Sequence, residues 1–284
     1  MLQQSFQNAI VEAVRVALDE DVQTGDATTL ALVPKEYRAK AFMVARQPLT
    51  VCGIQFATET YRQLDPCVQV FSRCKDGDQL QKGDVIMEIN GPARAILTAE
   101  RVSLNFMQHL SGIATMARRF TDLVAGTGVK ILDTRKTLPG WRLFEKYAVT
   151  CGGAVNHRIG LYDMILIKDN HLVELRDAKP NPVAAAVQRA RAAYPSLKVE
   201  VEADNLLQVR QAVDAGADIV LLDNMSNEMM REAVKLVQKR CLLEASGGVT
   251  LETVRGKAET GVDFISVGAL THSVRAVDIA LDFQ

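Results

Sequence analysis

"KVEVEADNLLQVRQAVDAGADIVLLDNMSNEMMREAVKLVQKRCLLEASGG" runs from Lys198 to Gly248, and its alternation decides the fold. The short apolar runs "KVEVEAD", "ADIVLLD" and "LLEASGG" are separated by helical patterns at Asn205–Ala215 and Ser226–Lys239. Strand and helix in alternation imply a parallel sheet with right-handed crossovers. The same grammar extends both ways. "VKILDT", "DMILIKD" and a helical segment at Pro182–Tyr194 precede this stretch, and a helical segment at Thr250–Thr260 and the run "DFISVGA" follow it. The last four strands recur about every 20–23 residues, one βα unit per repeat. No dinucleotide fingerprint follows any strand. A closed or nearly closed α/β barrel is therefore expected, rather than an open dinucleotide-binding sheet.

The N-terminal part reads differently. Phe6, Ile10, Val14 and Leu18 recur at helical spacing, with Glu12, Arg15 and Asp19 on other faces. "YRAKAFMVARQP" alternates like a strand, and residues 53–64 read as a helix. "VQVFSR", "DVIMEI" and "ARAIL" read as short strands between the turn-forming segments "KDGDQLQKGD" and "NGP". This half is expected to be α+β. "DGDQLQKGDVI" is similar to a turn of lipoyl- and biotinyl-type carriers, but no lysine stands at a hairpin tip, so an ordinary hairpin is expected. Residues 99–125 are helical in pattern and join the halves. Gly112 is expected to break or bend that helix, since an interior glycine costs about 1 kcal/mol. The expected domains are residues 1–110 and 111–284, with a C-terminal tail that could pack back on the first.

Bulk properties exclude several classes. The 284 residues are 48% hydrophobic, and 33 basic residues balance 34 acidic ones. A near-neutral chain offers no nucleic-acid surface and no polybasic membrane anchor, so any positive site is local. Five cysteines, an odd number without a CxxC, argue against a disulfide scaffold or structural zinc and for a reducing compartment. Cys151 lies between charged motifs, but no base adjoins it in sequence, so a catalytic thiol is not expected. The first helix carries acids, unlike a transit peptide, and no apolar run approaches the roughly 20 residues of a spanning helix. A soluble, cytoplasmic protein is expected.

Every strand of the barrel pattern ends in residues that can do chemistry. The endings are Asp133-Thr134-Arg135-Lys136, Lys168-Asp169-Asn170, Glu200 and Glu202, Asp223-Asn224, Ser246-Gly247-Gly248, and Gly268. In α/β barrels the active site forms at these C-terminal strand ends. Parity sharpens the reading. Val199 and Val201 share one face of their strand, Glu200 and Glu202 the other, so the glutamates point inward. Lys168 has the parity of Leu166, and Asp223 that of Leu221. An internal salt bridge, for instance Lys168 with Glu202, is the structural alternative to a catalytic role.

The glycine exits suggest phosphate. Ser246-Gly247-Gly248 precedes a helical segment near Thr250, and Gly268 precedes one carrying His272. Helix-start N–H groups attract phosphate, and glycine lets it approach. Glu202 and Asp223 suggest Mg²⁺, held directly or through water together with substrate phosphates. Arg135, Arg158 and Lys168 would crown a cationic pocket, and arginine forks suit a dicarboxylate.

"DTRKTLPGWR", "GGAVNHRIGLYDMILIKDNH", "EVE", "LLDN", "EASGG" and "SVGALTHS", with "ERVSLNFMQHLSGIAT", resemble the quinolinate phosphoribosyltransferase family along essentially the whole chain. The resemblance implies a type II phosphoribosyltransferase, with an α+β N-terminal domain and an incomplete α/β barrel of about seven strands. It implies a pentosyltransferase reaction of de novo NAD synthesis. Quinolinate and 5-phosphoribosyl 1-pyrophosphate give nicotinate mononucleotide, pyrophosphate and CO₂, with Mg²⁺ as cofactor. By matching motif, Arg135, His157, Arg158 and Lys168 would line the quinolinate pocket, and Lys136 would reach the pyrophosphate or the quinolinate. Glu202 and Asp223 would hold the ribose hydroxyls and Mg²⁺. Ser246, Gly247, Gly248, Gly268 and His272 would hold phosphate. Lys136, Lys168, Glu202 and Asp223 are the catalytic candidates. The family also implies a homodimer or larger assembly in which Arg101 enters the neighbour's site; a helix-surface charge is the alternative for that residue. Three rival readings remain open: a Schiff-base aldolase barrel using Lys168, a related transferase acting on another pyridine carboxylate, and a non-catalytic sensor of phosphoribosyl metabolites.

Overall fold

The structure is a computed structural model and describes residues 2–284. In chain order the first elements are α1 (Leu2–Val22), α2 (Ala27–Leu32), β1 (Arg38–Ala45), β2 (Leu49–Thr50), α3 (Ile54–Leu64), β3 (Gln69–Ser72), β4 (Gln79–Leu80), β5 (Val85–Pro92) and α4 (Ala93–Leu123). There follow β6 (Lys130–Leu132), α5 (Arg142–Cys151), β7 (Ile165–Ile167), α6 (Asp169–Val173), α7 (Pro182–Ala193), β8 (Val199–Ala203) and α8 (Leu206–Asp214). The last are β9 (Ile219–Asp223), α9 (Asn227–Val237), β10 (Leu242–Ser246), α10 (Val254–Ala258), β11 (Phe264–Ser266), α11 (Ala269–His272) and β12 (Ile279–Phe283). Two compact units result. One comprises Met1–Arg118, Leu143–Gly153 and Val274–Gln284; the other comprises Arg119–Arg142 and Ala154–Ser273. The boundary expected at 110/111 falls inside α4.

The first unit carries an antiparallel sheet in the order β12-β1-β5-β3. Met43 is central: it pairs with Met87 of β5 and with Leu281 of β12. Met43, Tyr61, Ile86, Ile89, Ile96 and Met107 are among the fully buried side chains of its core. The chain's C-terminal strand thus completes a sheet begun near its N-terminus.

Two expectations fail here. "ARAIL" is not a strand but the first turns of α4. Pro92, with no N–H to give a ladder, ends β5, and the alanines, arginine and leucine that follow are good helix formers. Gly112 does not break the run, because α4 spans it as one helix of 31 residues. A Cβ on Gly112 would lie 2.4 Å from the Arg275 carbonyl oxygen. The missing side chain lets the C-terminal segment lie on the helix, where Val277 N–H donates to the Gln108 carbonyl at 3.1 Å. Close packing there outweighs the propensity cost. Helix α5 had no expectation, although Phe144, Ala148 and Cys151 carry helical spacing.

The second unit holds six parallel strands in the order β6-β11-β10-β9-β8-β7. A parallel bridge from Leu132 to Val155 adds a rudimentary further neighbour outside β6. No pairing among the described residues joins β7 back to this edge, so the barrel is open. Its helices start where the sequence caps them: Asn181 accepts from Ala184 N–H, Asn205 from Gln208 N–H and Ser226 from Met229 N–H. A second device repeats at the opposite strand ends. Gly216 and Gly261 turn the chain at left-handed φ, +82° and +95°. The aspartate two residues on then accepts a strand-start N–H: Asp218 from Val199 at 2.7 Å, Asp263 from Leu243 at 2.8 Å. These clamps hold β8 and β10 in register with their neighbours. No described helix is long and apolar enough to cross a membrane.

Candidate active site

The second unit contains a cavity of about 870 Å³. Arg135, Lys136, His157, Arg158 and Lys168 line it, as do Glu202 and Asp223. So do Ser246, Gly247, Gly248, Gly268 and His272. Residues from six separate strand ends therefore face one space, because parallel strands deliver all their C-termini to one side of the sheet. The inward parity of Leu166, Glu202 and Leu221 is also observed, since each reaches the cavity wall. Arg101 is placed elsewhere. It stands exposed on α4, in the other unit, and does not line the cavity.

The cationic side keeps donors open to a ligand. Arg135 Nε is buried with no hydrogen-bond partner among the described residues. Arg158 Nη1 donates to the Met164 carbonyl at 3.0 Å. Burial, and then the charge of Arg135, lower the Arg158 pKa, and Glu200 and Asp163 offset this only in part. Lys168 Nζ lies 3.3 Å from Glu202 Oε2, so the internal salt bridge anticipated from parity does form. It forms at the cavity wall, where it is open to exchange for a ligand.

His157 is held from several sides. Its N–H donates to Asp133 Oδ1 at 2.8 Å, and its Nδ1 accepts the Arg158 N–H at 2.8 Å. Its Nε2 lies 3.0 Å from Glu200 and 3.4 Å from Glu244. Both carboxylates are buried, and none of their four oxygens receives an aligned hydrogen bond among the described residues. Burial alone would lower the imidazole pKa. Glu200 and Glu244 outweigh it and raise it, and the Nδ1 that accepts the Arg158 N–H keeps the ring proton on Nε2, facing the two acids. Burial, opposed by His157 but reinforced by Glu244, raises the Glu200 carboxyl to about 7. Protons shared within this trio lessen the negative charge that two buried acids would otherwise carry. The trio also presents its ligand atoms within 4.8 Å of one another, in the manner of a cation site. Glu244 was missed in the sequence. Its signal was an isolated acid in an apolar run, two residues from Ser246 and so on the same face.

The phosphate-type side is built on close approaches. A Cβ on Gly247 would lie 2.0 Å from Asn224 Oδ1. Asn224 itself adopts φ +52°, and its Nδ2 donates to Asp223 Oδ2 at 2.8 Å, which fixes that carboxylate. A Cβ on Gly268 would meet His272 Cδ2 at 3.0 Å and Lys136 Cδ at 3.2 Å. Glycine thus lets Lys136 and His272 converge at the exit of β11. Thr271 Oγ1 donates to the Lys136 carbonyl at 2.7 Å and ties the two segments.

With this geometry in place, the comparisons are decisive. Residues 26–111 match the N-terminal domain of quinolinate phosphoribosyl transferase, and residues 113–282 match its C-terminal domain. The chain belongs to the quinolinate phosphoribosyl transferase family. It is 45% identical over 264 residues to a probable carboxylating nicotinate-nucleotide pyrophosphorylase of Bacillus subtilis, covering 93% of this chain and 89% of that one. It is 43% identical over 288 residues to the carboxylating nicotinate-nucleotide pyrophosphorylase of Mycobacterium leprae, covering 97% of each. The solved nicotinate-nucleotide pyrophosphorylase of Francisella tularensis superposes with a TM-score of 0.92 at 42% identity, covering 98% of this chain and 97% of that one.

Proposed function

We propose that this chain transfers the phosphoribosyl group of 5-phosphoribosyl 1-pyrophosphate to quinolinate with loss of CO₂, giving nicotinate mononucleotide and pyrophosphate for NAD synthesis. One observation carries the reading. Two guanidiniums, Arg135 and Arg158, near enough for the charge of one to act on the other, share a cavity with the glycine-lined exits of β10 and β11. A pyridine dicarboxylate satisfies the first feature and a phosphorylated ribose the second. A cavity of about 870 Å³ is large enough for both reactants.

Arg135, Arg158 and Lys168 bind and orient the dicarboxylate, and His157 forms the wall beside them, its ring held by the Arg158 N–H, Glu200 and Glu244. The carboxylate that stays in the product takes the tightest arginine fork, because a firm grip on the departing one would stabilise the ground state. Glu202 and Asp223 face the ribose hydroxyls, and the Asn224 hydrogen bond keeps Asp223 turned toward them. Lys136 and His272 meet the phosphates beside Gly268. Fixed charge aimed at a leaving group is worth about 3–4 kcal/mol per donor in comparable sites. The hard oxygen donors of Glu202 and Asp223 fit Mg²⁺ shared with substrate phosphates, and the ion would supply charge neutralisation of the pyrophosphate. The assembly we favour is a homodimer in which Arg101 of the partner subunit completes the quinolinate pocket. The exposed position of Arg101, and the exposed Ile159, Leu161 and Tyr162 beside Arg158 in sequence, support it. Five cysteines, an odd number without a CxxC, support a cytoplasmic, reducing setting.

The test is release of pyrophosphate and CO₂ from quinolinate plus the ribose donor, with nicotinate as the control acceptor. Turnover of nicotinate in place of quinolinate would point to a related transferase. Arg135→Ala and Arg158→Ala are each expected to lower kcat/KM for quinolinate on the order of 10²-fold. Near-normal rates for both would refute the dicarboxylate pocket.

A further inference from the structure

A second cluster of reactive groups lies within the first unit. Cys52 precedes Gly53, the N-cap of α3, and Cys151 is the last residue of α5. Their sulfurs are 3.6 Å apart, with the Cys52 thiol donating to Cys151. In sequence they are 99 residues apart, so no spacing motif could have paired them.

The approach is built, not incidental. Asp76 Oδ1 accepts the N–H groups of Gly53 at 3.0 Å and Ile54 at 3.1 Å. Its Oδ2 accepts the Tyr147 hydroxyl of α5 at 2.7 Å. One carboxylate thus ties the start of α3 to α5. Ser111 Oγ accepts the Cys52 N–H at 2.9 Å and donates to the Cys52 carbonyl at 3.0 Å, clamping the backbone on that side. Behind Cys151, a Cβ on Gly152 would lie 2.4 Å from the Ala114 carbonyl oxygen, so the chain there is packed against α4. The two sulfurs also differ in access. Cys52 is fully buried and Cys151 is partly exposed.

We propose that Cys52 and Cys151 form a site of reversible thiol–disulfide exchange whose co-reactant is a small-molecule disulfide of the glutathione class. Cys151 attacks first, being the reachable sulfur. The S–H it accepts from Cys52 favours its thiolate, and burial pushes the Cys52 thiol up. The carboxylate of Asp76 and the C-terminal end of α5 oppose that thiolate and slow its attack. Joining two thiols removes two electrons, and the small disulfide accepts them. The Cys151 thiolate bonds to one sulfur of the small disulfide and its S–S bond breaks, releasing one thiolate. Cys52 then gives up its proton and bonds to the Cys151 sulfur, displacing the second thiolate. The net change is two protein thiols oxidised to one disulfide and one small disulfide reduced to two thiols. A disulfide needs about 2 Å between sulfurs, so the pair must close by roughly 1.6 Å.

The test uses the full-length protein, reduced and desalted, then incubated with oxidised glutathione and quenched with an alkylating agent. Of the five cysteines, two should escape alkylation. Peptide mapping should join the Cys52 and Cys151 peptides in one species lighter by two hydrogens, which dithiothreitol reverses. Cys67→Ser should leave this cross-link in place, and Cys151→Ser should abolish it and leave Cys52 free of glutathione. Should Cys151→Ser misfold, the wild-type map decides alone. Stable glutathionylation of Cys151 without the cross-link would overturn the proposal, as would unchanged alkylation of both cysteines. Stoichiometric zinc protecting both thiols would also overturn it, by making the cluster a metal site.

Discussion

Gly247 shows what a single residue contributes to the cavity. It sits at φ +88°, where an L side chain is strained, and an added Cβ would fall 2.0 Å from Asn224 Oδ1 and 2.6 Å from Asn224 Cγ. Asn224 cannot yield without releasing Asp223, to which it is hydrogen-bonded at 2.8 Å. Gly247→Ala should therefore act twice: it blocks phosphate approach and turns Asp223 away. We expect KM for the ribose donor to rise at least about 10-fold and kcat to fall, with circular dichroism unchanged. Gly248 is the comparison. It too has positive φ, but an added Cβ meets nothing within 4 Å. Its alanine variant should suffer backbone strain alone and lose less. Equal losses at the two positions would show that strain, not the Asn224 contact, sets the effect.

At the level of elements, the same turn builds two strand starts, and it can be broken one clamp at a time. Asp218 Oδ2 accepts the Val199 N–H and also pairs with Arg191 at 2.7 Å. Asp218→Ala leaves a strand-start donor without its partner, which costs about 1–3 kcal/mol. A lower denaturation midpoint, with KM for both substrates preserved, would check it. In the first unit Glu88 of β5 pairs with Lys40 at 2.9 Å and Arg73 at 2.6 Å. The Lys40 hydrogen bond, followed by those of Asn90 and Arg73, lowers its carboxyl to about 2. The folded pKa lies below the ordinary value. The stabilisation is therefore present above about pH 4.5 and is lost as pH falls toward about 2. The melting-temperature gap between wild type and Glu88→Gln should be widest above that range and close on acidification. These elements also mark how far sequence reading reached. The six parallel strands were legible because each is an apolar run, most of them followed by a helical pattern. "ARAIL" was misread because five apolar-rich residues fit a strand or a helix turn, and only the preceding Pro92 decides between them. Gly112 was misread because its purpose, room for the Arg275 carbonyl, comes from residues far along the chain. Glu244 went unnoticed because a buried acid makes sense only beside His157, 3.4 Å away in space.

For the molecule as a whole, the unassigned charge is Arg101. It belongs to the first unit and stands exposed on α4, whereas every other candidate residue lines the cavity of the second unit. On the proposed reading it acts in another copy of the chain, and closed two-fold symmetry would then give two such sites per dimer. Subunit mixing separates this from a surface charge of no consequence. Arg101→Ala and Lys168→Ala homodimers should each be nearly inactive. In a hybrid dimer with shared sites, one site takes both defects and the other takes neither. Equal mixing makes half the dimers hybrid, so activity should recover to about a quarter of the wild-type value. If Arg101 served its own subunit's site, each hybrid site would carry one defect and nothing would recover. If Arg101 were only a surface charge, its alanine variant would be active before mixing. Dilution of the mixture should reduce the regained activity in step with dissociation of the dimer, measured by light scattering, because the repaired site exists only while two chains are together.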